Sequence, residues 1–300
     1  MRGGGDLFAV IICTRDRPSL LSASLAALRR QTDRDFAVWI VSQGSPPGPE
    51  VGSAEPAEPR VHVIHDPGRG ISHARNVGWR SVEARWLVYL DDDCLPEADW
   101  AEQLRRELLA NPDVDLVSGQ VIEFGAPDGG YLPGTTLAID RPHRLAGRWT
   151  RPWRVGFGGG GAAVRRDAIE RLAGWDERLG AGNPDFPGAD DMDFNWRLMQ
   201  AGGVAYLSPG PRVLHDQWRA GTALPAHFRG YTRGWCGFAT KQIRTGDVIG
   251  GLYLLGAQAR GILRLLWSAI SRRSVLRLRI VGAQALGFVE GTVRGLARRW

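Results

Sequence analysis

The chain has 300 residues, of which 43% are hydrophobic, and its formal net charge at pH 7 is +6. This length and apolar content predict a globular protein with a large core. Three cysteines, Cys13, Cys94 and Cys236, stand far apart without a Cys-x-x-Cys spacing. The pattern argues against a zinc site or a redox pair and favours a reducing cytoplasm.

The charge is distributed unevenly along the chain. Residues 219–300 hold 14 Arg and Lys residues against Asp247 and Glu290, a net charge of +12, which leaves −6 for residues 1–218. Such a basic segment favours an anionic partner, either nucleic acid or a membrane surface. A solvated, arginine-rich helix face is the alternative interpretation.

Strand and helix signals alternate in the first half of the chain at the spacing of βαβ units. The predicted strands cover residues 7–13, 36–41, 61–65 and 86–90, and the predicted helices cover residues 17–31 and 71–83. Apolar strands separated by helices predict an α/β fold with a doubly wound, mostly parallel sheet flanked by helices. Such sheets bind ligands at the carboxyl ends of their strands.

The second half predicts a helix over residues 97–111, a strand over 114–124 and an irregular active-site region over 125–161. Helices follow from residue 166 and over 190–200, a strand covers 213–215, and the rest is helical and basic. Only twelve uncharged residues separate Asp247 from Arg260, fewer than the ~20 that a spanning helix needs. The basic region therefore predicts peripheral contact with a membrane, packing on the body of the protein or an oligomer contact.

Three adjacent carboxylates, Asp91, Asp92 and Asp93, follow the apolar strand of residues 86–90. Neighbouring carboxylates raise one another's pKa unless a cation neutralises them. Mg²⁺ prefers carboxylate oxygens and fills its other positions with phosphate and water. Strand alternation would place Asp91 and Asp93 on one side and Asp92 on the other. The run predicts a cation site, with capping of the next helix as the alternative.

A second carboxylate cluster lies in the sequence GADDMDFNWRL. Asp190, Asp193 and Arg197 share one face of the predicted helix, and Asp191 lies beside them, so a general base could stand here. His215 is a third candidate, because a neutral imidazole can complete a metal shell. A structural role is the alternative for this histidine.

Together these segments resemble the family 2 glycosyltransferases, whose catalytic domain has the GT-A fold, over about residues 7–240. Five segments match in the family's order: AVIICTRDRPSLLSASLAALRRQTDRDFAVWIVSQGS, GRGISHARNVGW, LVYLDDDCLP, GGGGAAVRRDAIERLAGWDE and GADDMDFNWRL. The resemblance implies a GT-A nucleotide-sugar-binding and catalytic domain over residues 1–218 and a basic helical region over residues 219–300.

The resemblance also implies roles for individual residues. The implied nucleotide-sugar contacts are Thr14, Arg17, Gln43, Gly70, Arg75, Asp91 and Asp92. Asp92 is expected to matter least among the three adjacent carboxylates. Gln43 stands where the family commonly has Asp or Asn, and because an amide both donates and accepts, it leaves the nucleotide base open.

For the chemistry, the resemblance implies that Asp93 and His215 hold Mn²⁺ or Mg²⁺. It places Asp191 as the general base, with Asp190 as the second choice. The implied acceptor-binding residues are Gly159, Gly160, Gly161 and Trp175.

The resulting hypothesis is an inverting, metal-dependent transferase that moves a single sugar, since no Gln-x-x-Arg-Trp motif of processive synthases is present. A UDP-sugar is the first expected donor, with GDP- and dTDP-sugars as alternatives. The acceptor would be a glycan, a lipid-linked precursor or a small molecule. The expected location is the cytoplasm or the inner face of the membrane.

Two other functions remain open from the sequence. One is a polyprenyl-phosphate sugar transferase at the membrane, and the other is a non-catalytic nucleotide-sugar binder. Nucleic-acid binding is not expected, because the sequence has no recognised module for it and few aromatic residues between its basic ones.

Overall fold

The computed structural model describes residues 6–45, 60–125, 136–156, 159–216 and 219–300. Much of the predicted loop before residue 60 and part of the predicted irregular region lie outside these ranges. The described chain forms one mixed β-sheet flanked by helices, followed by three long helices.

The strands are β1 (Asp6–Arg15), β2 (Ala37–Gln43), β3 (Arg60–Asp66), β4 (Ala84–Asp91), β5 (Cys94–Pro96), β6 (Leu116–Phe124), β7 (His143–Ala146), β8 (Gly160–Arg165) and β9 (Val204–Asp216). Their order is β3-β2-β1-β4-β8-β6-β9-β5, and β7 pairs with β9. The four neighbouring strands β3, β2, β1 and β4 are all parallel, and β6 is parallel to β9. Strand β8 is antiparallel to both β4 and β6. The predicted fold class is confirmed.

The helices are α1 (Pro18–Arg29), α2 (Ile71–Ser81), α3 (Trp100–Ala110), α4 (Pro152–Val155), α5 (Arg166–Arg171), α6 (Asp190–Gln200), α7 (Leu224–Arg244), α8 (Val248–Ser271) and α9 (Val275–Ala297). Helix α1 begins at Pro18 as predicted, because proline suits the first turn, where its missing N–H has no partner to lose. Among the described helices, none is long and apolar enough to cross a membrane.

Two hydrophobic cores cover the two faces of the sheet. Alternation along β1 sends Ile11 into one core, with Tyr89 and Phe194, and Val10 into the other, with Trp100. Helices α2 and α6 contribute to the first core, and α1 and α3 to the second. Both faces of the central strands are therefore buried, which explains their continuous apolar sequences.

The three C-terminal helices pack on one another and on the sheet body. Glycines Gly287, Gly291 and Gly295 of α9 face α7, and a Cβ on Gly291 would lie 2.5 Å from the carbonyl oxygen of Arg233. A third core joins Trp196 of α6 to residues of α7 and α8. The boundary between a catalytic domain over residues 1–218 and a separate helical region over residues 219–300 remains a prediction.

Several elements differ from the sequence prediction. Strand β8 begins with two glycines, which disfavour strands, and it forms because it bridges β4 and β6. Strand β9 is much longer than predicted and continues through Pro209, Gly210 and Pro211, where the register against β6 shifts. Strand β7 and the short helix α4 lie inside the region that was predicted to be irregular.

Candidate active site

The site lies at the carboxyl end of β4, where the chain leaves the sheet at Asp91. The N–H of Asp91 donates to the carbonyl oxygen of Gly159 at 3.0 Å. Gly159 has a φ of +68°, and a Cβ there would lie 1.8 Å from Oδ2 of Asp91. Only glycine fits both the backbone conformation and the space beside this carboxylate.

Arg75 of α2 connects the two predicted carboxylate clusters. Its side chain is buried; Nη1 donates to Oδ2 of Asp190, and Nη2 lies 3.5 Å from Oδ1 of Asp91. The guanidinium also lies 5.9 Å from the centre of the Tyr89 ring. Burial by itself would lower the pKa of Arg75, but the negative charges of Asp190 and Asp91 outweigh burial and hold that pKa above its ordinary value. A permanent positive charge therefore stands between β4 and α6.

Asp191 occupies the first turn of α6 and is half-buried. Its Oδ1 accepts a hydrogen bond from the backbone N–H of Met192 at 2.8 Å. Burial, and then repulsion by Asp190, raise the pKa of Asp191 to about 7, against the opposing effect of Arg75. A carboxylate that titrates near neutral pH is matched to proton transfer.

The turn into α6 is strained. Ala189, the residue before the helix, has a φ of +64° and a ψ of 18°, the left-handed region that residues with a Cβ rarely occupy. Strain of this kind costs on the order of 1–3 kcal/mol and is frequent at active sites. Here it sets the direction in which Asp190 and Asp191 leave the turn.

Asp93 and His215 are brought together by the pairing of β5 with β9. His215 is opposite Cys94 in that ladder, and its Nε2 lies 3.3 Å from Oδ1 of Asp93. Ligand atoms of Asp93, Cys94 and His215 all lie within 4.8 Å of one another. Burial lowers the pKa of His215, but Asp93 outweighs it and raises that pKa above its usual value. Burial also raises the pKa of the Cys94 thiol well above its ordinary range.

This donor set fits a divalent cation. Asp93 offers a carboxylate oxygen, the ligand type that suits Mg²⁺ and Mn²⁺, and His215 offers an imidazole nitrogen, which suits transition metals better than Mg²⁺. A site with two protein ligands leaves room for diphosphate oxygens and water. The neutral Cys94 thiol contributes little to such an ion, because the thiolate is the form that binds metals.

Asp92 differs from its two neighbours. It is 1% exposed and accepts hydrogen bonds from Thr14 Oγ1 at 2.6 Å and from Arg17 Nη1 at 2.9 Å. Burial raises the pKa of Asp92 to about 6, although Arg17 opposes the shift. Asp92 therefore ties the end of β1 to the carboxylate run, and the expectation that it matters least for activity stays a prediction. Thr14 and Arg17, which were predicted to line the nucleotide pocket, use polar atoms for this contact.

Gln43 holds the turn that begins α2. Its Oε1 accepts from the N–H of Gly70 at 3.1 Å, and its Nε2 donates to Oδ2 of Asp66 at 2.8 Å. Gly70 has a φ of +100°, a conformation that favours glycine. Gln43 is buried, so its observed contacts position the helix that carries Arg75. Sequence reasoning missed Asp66, which is the last residue of β3 as Gln43 is the last residue of β2.

The predicted acceptor residues lie deeper than expected. Gly160 and Gly161 are buried in β8, and a Cβ on either would come within 2.0 or 3.0 Å of neighbouring side chains. Trp175 is 3% exposed, with its ring 4.5 Å from Tyr89 and 4.6 Å from Phe194. These three residues pack in the interior, and their role in acceptor binding stays a prediction.

Asp193 has different interaction partners from the candidate base Asp191. It is fully buried, accepts from Lys241 Nζ at 2.6 Å and from Arg197 Nε at 2.8 Å, and so belongs to an internal ionic network. Lys241 also lies 2.7 Å from Oδ2 of Asp176. Sequence reasoning missed Lys241 and Asp176 as partners. The signal available was that Lys241 is the only lysine in an arginine-rich chain.

The sheet order and the carboxylates at the end of β4 define a GT-A-like fold. A mannosyltransferase from Pyrobaculum calidifontis, solved in complex with GDP-Man and Mn²⁺, superposes with a TM-score of 0.60 at 19% identity, over 98% of this chain and 88% of that one. The sequence model for Glycosyl transferase family 2 matches residues 9–173. The chain belongs to that family.

Curated relatives carry related names. A pre-mycofactocin glycosyltransferase of Mycobacterium tuberculosis is 28% identical over 218 residues, which are 69% of this chain and 42% of the relative. A PGL/p-HBAD biosynthesis glycosyltransferase of Mycobacterium bovis is 30% identical over 126 residues, 39% of this chain and 47% of the relative. The chain spans less than half the length of these relatives.

Proposed function

We propose that this protein transfers one sugar from a nucleotide-sugar donor to an acceptor hydroxyl, with inversion and with a divalent cation. The observation that carries the proposal is the position of Arg75. It contacts Asp91 at the end of β4 and Asp190 at the start of α6. Carboxylates suited to a cation and a carboxylate suited to proton transfer thus surround one buried guanidinium.

The donor would lie at the carboxyl ends of β1 and β4. Asp93 and His215 would hold Mn²⁺ or Mg²⁺, which when bound offsets the negative charge on the departing diphosphate. Arg75 would add a fixed positive charge nearby. UDP-sugars remain the first candidates, and the structural neighbour with GDP-Man makes GDP-mannose an equal member of any donor panel.

Asp191 would act as the base. It would take the proton of the acceptor hydroxyl while that oxygen bonds to the anomeric carbon and the bond from that carbon to the diphosphate oxygen breaks. The pKa of about 7 supports Asp191 over Asp190, whose carboxylate is already paired with Arg75. A single base opposite the leaving group gives inversion, and no second, nucleophilic carboxylate is needed, unlike in retaining glycoside hydrolysis.

A thermal-shift panel tests the donor and the metal together. UDP-, GDP- and dTDP-sugars are each added with and without Mn²⁺, and one donor should raise the Tm only when Mn²⁺ is present. Asp191→Asn should keep that shift and lower the release of nucleoside diphosphate by about 10²- to 10⁴-fold, the usual effect of a general base. A variant that retained full turnover would remove Asp191 from the mechanism.

The comparisons do not favour a polyprenyl-phosphate sugar transferase or a non-catalytic binder. The same panel separates the binder from an enzyme, because a binder would show the thermal shift without any turnover.

We also propose that α8 and α9 contact an anionic membrane surface from the cytoplasmic side. Five exposed apolar residues of α8, at spacings of 3, 11, 4 and 3 residues, fall on one helix face: Ile249, Leu252, Leu263, Trp267 and Ile270. Trp267 is 74% exposed, and Arg260 and Arg264 lie in the same stretch of helix. Interfacial helices combine these features, and each basic residue near an anionic surface contributes about 1 kcal/mol.

Vesicle sedimentation tests this contact. Binding to phosphatidylglycerol-containing vesicles should exceed binding to phosphatidylcholine vesicles and should weaken as salt rises. Trp267→Ala should reduce binding, whereas Trp149→Ala, at a 51% exposed tryptophan outside α8 and α9, should not. Self-association without vesicle binding would show instead that a second copy covers this face.

A further inference from the structure

A second pocket lies away from the carboxylates, between α4, α7 and α8. Its volume is about 310 Å³, and its wall is formed mainly by three aromatic and three basic side chains: Trp153, Trp235, Tyr253, Arg151, Arg260 and Arg264. None of the residues proposed for the donor, the cation or the base lines this pocket, although Arg260 and Arg264 also belong to the stretch of α8 proposed to contact a membrane. Its composition indicates recognition of a ligand that has both an anionic group and an apolar or sugar surface.

The aromatic side of the pocket is well ordered by its own contacts. The ring of Trp153 lies 5.6 Å from that of Trp235 and stacks on Tyr253 at 6.3 Å with an interplanar angle of 13°. Trp235 Nε1 donates to the carbonyl oxygen of Leu254 at 3.1 Å, which fixes the orientation of the indole. Rigid aromatic surfaces of this kind bind with little loss of side-chain freedom.

The basic side of the pocket lacks an internal counter-charge. Across the described ranges, no carboxylate lies within salt-bridge distance of Arg151, Arg260 or Arg264. This differs from Arg75 and Arg197, which are paired with aspartates of the chain. Guanidinium groups match phosphate oxygens in geometry and charge, so three on one pocket favour a phosphate ester.

The pocket adjoins the helix that carries the candidate base. Met192, the residue after Asp191, packs in one apolar cluster with Trp153 and Trp235. Asn195 of the same helix donates from Nδ2 to the carbonyl oxygen of Pro152 at 3.1 Å. Helix α6 therefore belongs to the same apolar cluster as the aromatic residues that line the pocket.

A line of rings on α7 connects the two places. His227, Tyr231 and Trp235 are spaced by four residues, which puts them on one helix face. The rings of His227 and Tyr231 lie 4.0 Å apart, and Tyr231 is 40% exposed beside Gly188, at the turn before α6. An extended ligand could follow these rings from Asp191 to the arginines.

We propose that the pocket binds a phosphate ester of the acceptor, while the aromatic line holds the part of the acceptor that carries the reacting hydroxyl. This rests on the proposed glycosyl transfer and assigns the acceptor class. The phosphate is an anchor rather than the nucleophile, because the arginines line a pocket whose wall does not include Asp191. A lipid phosphate and a soluble sugar phosphate share this chemistry.

Titration of tryptophan fluorescence in EDTA, without any nucleotide sugar, tests the pocket. The probes are farnesyl phosphate, farnesol and glucose 6-phosphate. The wild-type protein should bind at least one phosphate probe saturably and at least about tenfold more tightly than farnesol. Competition between the two phosphates distinguishes a lipid source from a soluble one.

The test variant is Arg260→Gln with Arg264→Gln. Its matched control is Arg273→Gln with Arg279→Gln, which removes the same charge at exposed positions outside the pocket. We expect about a tenfold loss of phosphate binding in the first and less than twofold in the second. Equal losses in both, or none in the first, would overturn the proposal, with circular dichroism showing that both are folded. Arg151→Gln serves as a second test if the first variant does not fold.

This outcome is independent of donor turnover. Failure to release nucleoside diphosphate from any donor would count against the proposed glycosyl transfer and leave the titration unchanged. Loss of discrimination between farnesyl phosphate and farnesol would count against the pocket alone.

Discussion

Helix α6 contributes aspartates to two clusters that are neutralised to very different degrees. Asp193 joins Asp176, and this pair receives Lys241 together with Arg197 and Arg178. Burial raises the pKa of Asp176, but Arg178 and Lys241 outweigh it and hold the pKa well below its usual range. This cluster is balanced by the chain itself.

The other cluster is not balanced by the chain. Asp91, Asp92 and Asp191 all have pKa values raised by burial, although Arg17 pairs with Asp92 and Arg75 lies beside Asp91. Unpaired negative charge in a protein costs free energy unless a cation arrives from outside. The contrast separates a structural ionic network from a site that is suited to bind a cation.

The largest effect should come from the unbalanced cluster. Asp93→Asn removes a proposed cation ligand, and a cation contributes several kcal/mol to transition-state stabilisation, so donor turnover should fall by more than about 100-fold. Asp92→Asn keeps the shape of a buried group that contacts Thr14 and Arg17, so we expect less than about a tenfold loss. Nucleoside diphosphate release at saturating Mn²⁺ measures both, and equal losses would refute the assignment of Asp93.

The balanced cluster should respond in stability instead. Lys241→Met leaves Asp176 and Asp193 buried without their shared cation, and breaking such a network costs about 3–5 kcal/mol. Urea denaturation measures the free energy of unfolding. Arg244→Met, at an exposed position one turn further on, is the control and should stay within about 0.5 kcal/mol. A stable Lys241→Met variant would show that the network is not structural.

Activity should depend on pH through Asp191. Its pKa is raised to about 7, so the carboxylate that accepts a proton predominates above pH 7 and is lost below it. We expect kcat/KM to fall by up to about tenfold per pH unit below 7. The residual activity of Asp191→Asn should lack this dependence, and an unchanged profile would assign the titration to another group.

The stability of the two clusters should depend on pH with opposite signs. Because the pKa of Asp176 is lowered on folding, its contribution is present above about pH 4 and is lost as the pH falls below that value. Because the pKa of Asp191 is raised, its ionisation destabilises the fold as the pH rises from about 4 through 7. Asp191→Asn should therefore gain stability over the wild type in that interval, as measured by Tm.

The smallest effect should come from Arg178, the most exposed basic residue of the balanced cluster. Arg178 Nη2 lies 2.7 Å from Oδ2 of Asp176, but the arginine side chain is 39% exposed. Solvent screens such pairs, so Arg178→Gln should cost less than about 1 kcal/mol. A loss of stability as large as that of Lys241→Met would show that burial does not determine how much each contact contributes to the free energy of unfolding.

Much of the fold followed from local pattern. The apolar runs of β1 and β4, and the helix that begins at Pro18, have periodicities that local sequence fixes. Strand β8 did not follow, because Gly160 and Gly161 have low strand propensity and pair only once β4 and β6 are in place. The burial of Trp175 also depended on packing, since a tryptophan near a glycine-rich segment fits either a surface or a core.

By itself, the sequence determined the chemistry available to this protein: three carboxylates after a buried strand, two more at a helix start, and a basic C-terminal region. Only the tertiary structure decided which carboxylates are neutralised. Asp193 and Asp191 are two residues apart on one helix, yet Asp193 meets Lys241 of α7, whereas Asp191 has no cation as close among the residues that the structure describes. Electrostatic compensation depends on distance through space, and that distance is set by how the helices pack rather than by the order of residues along them.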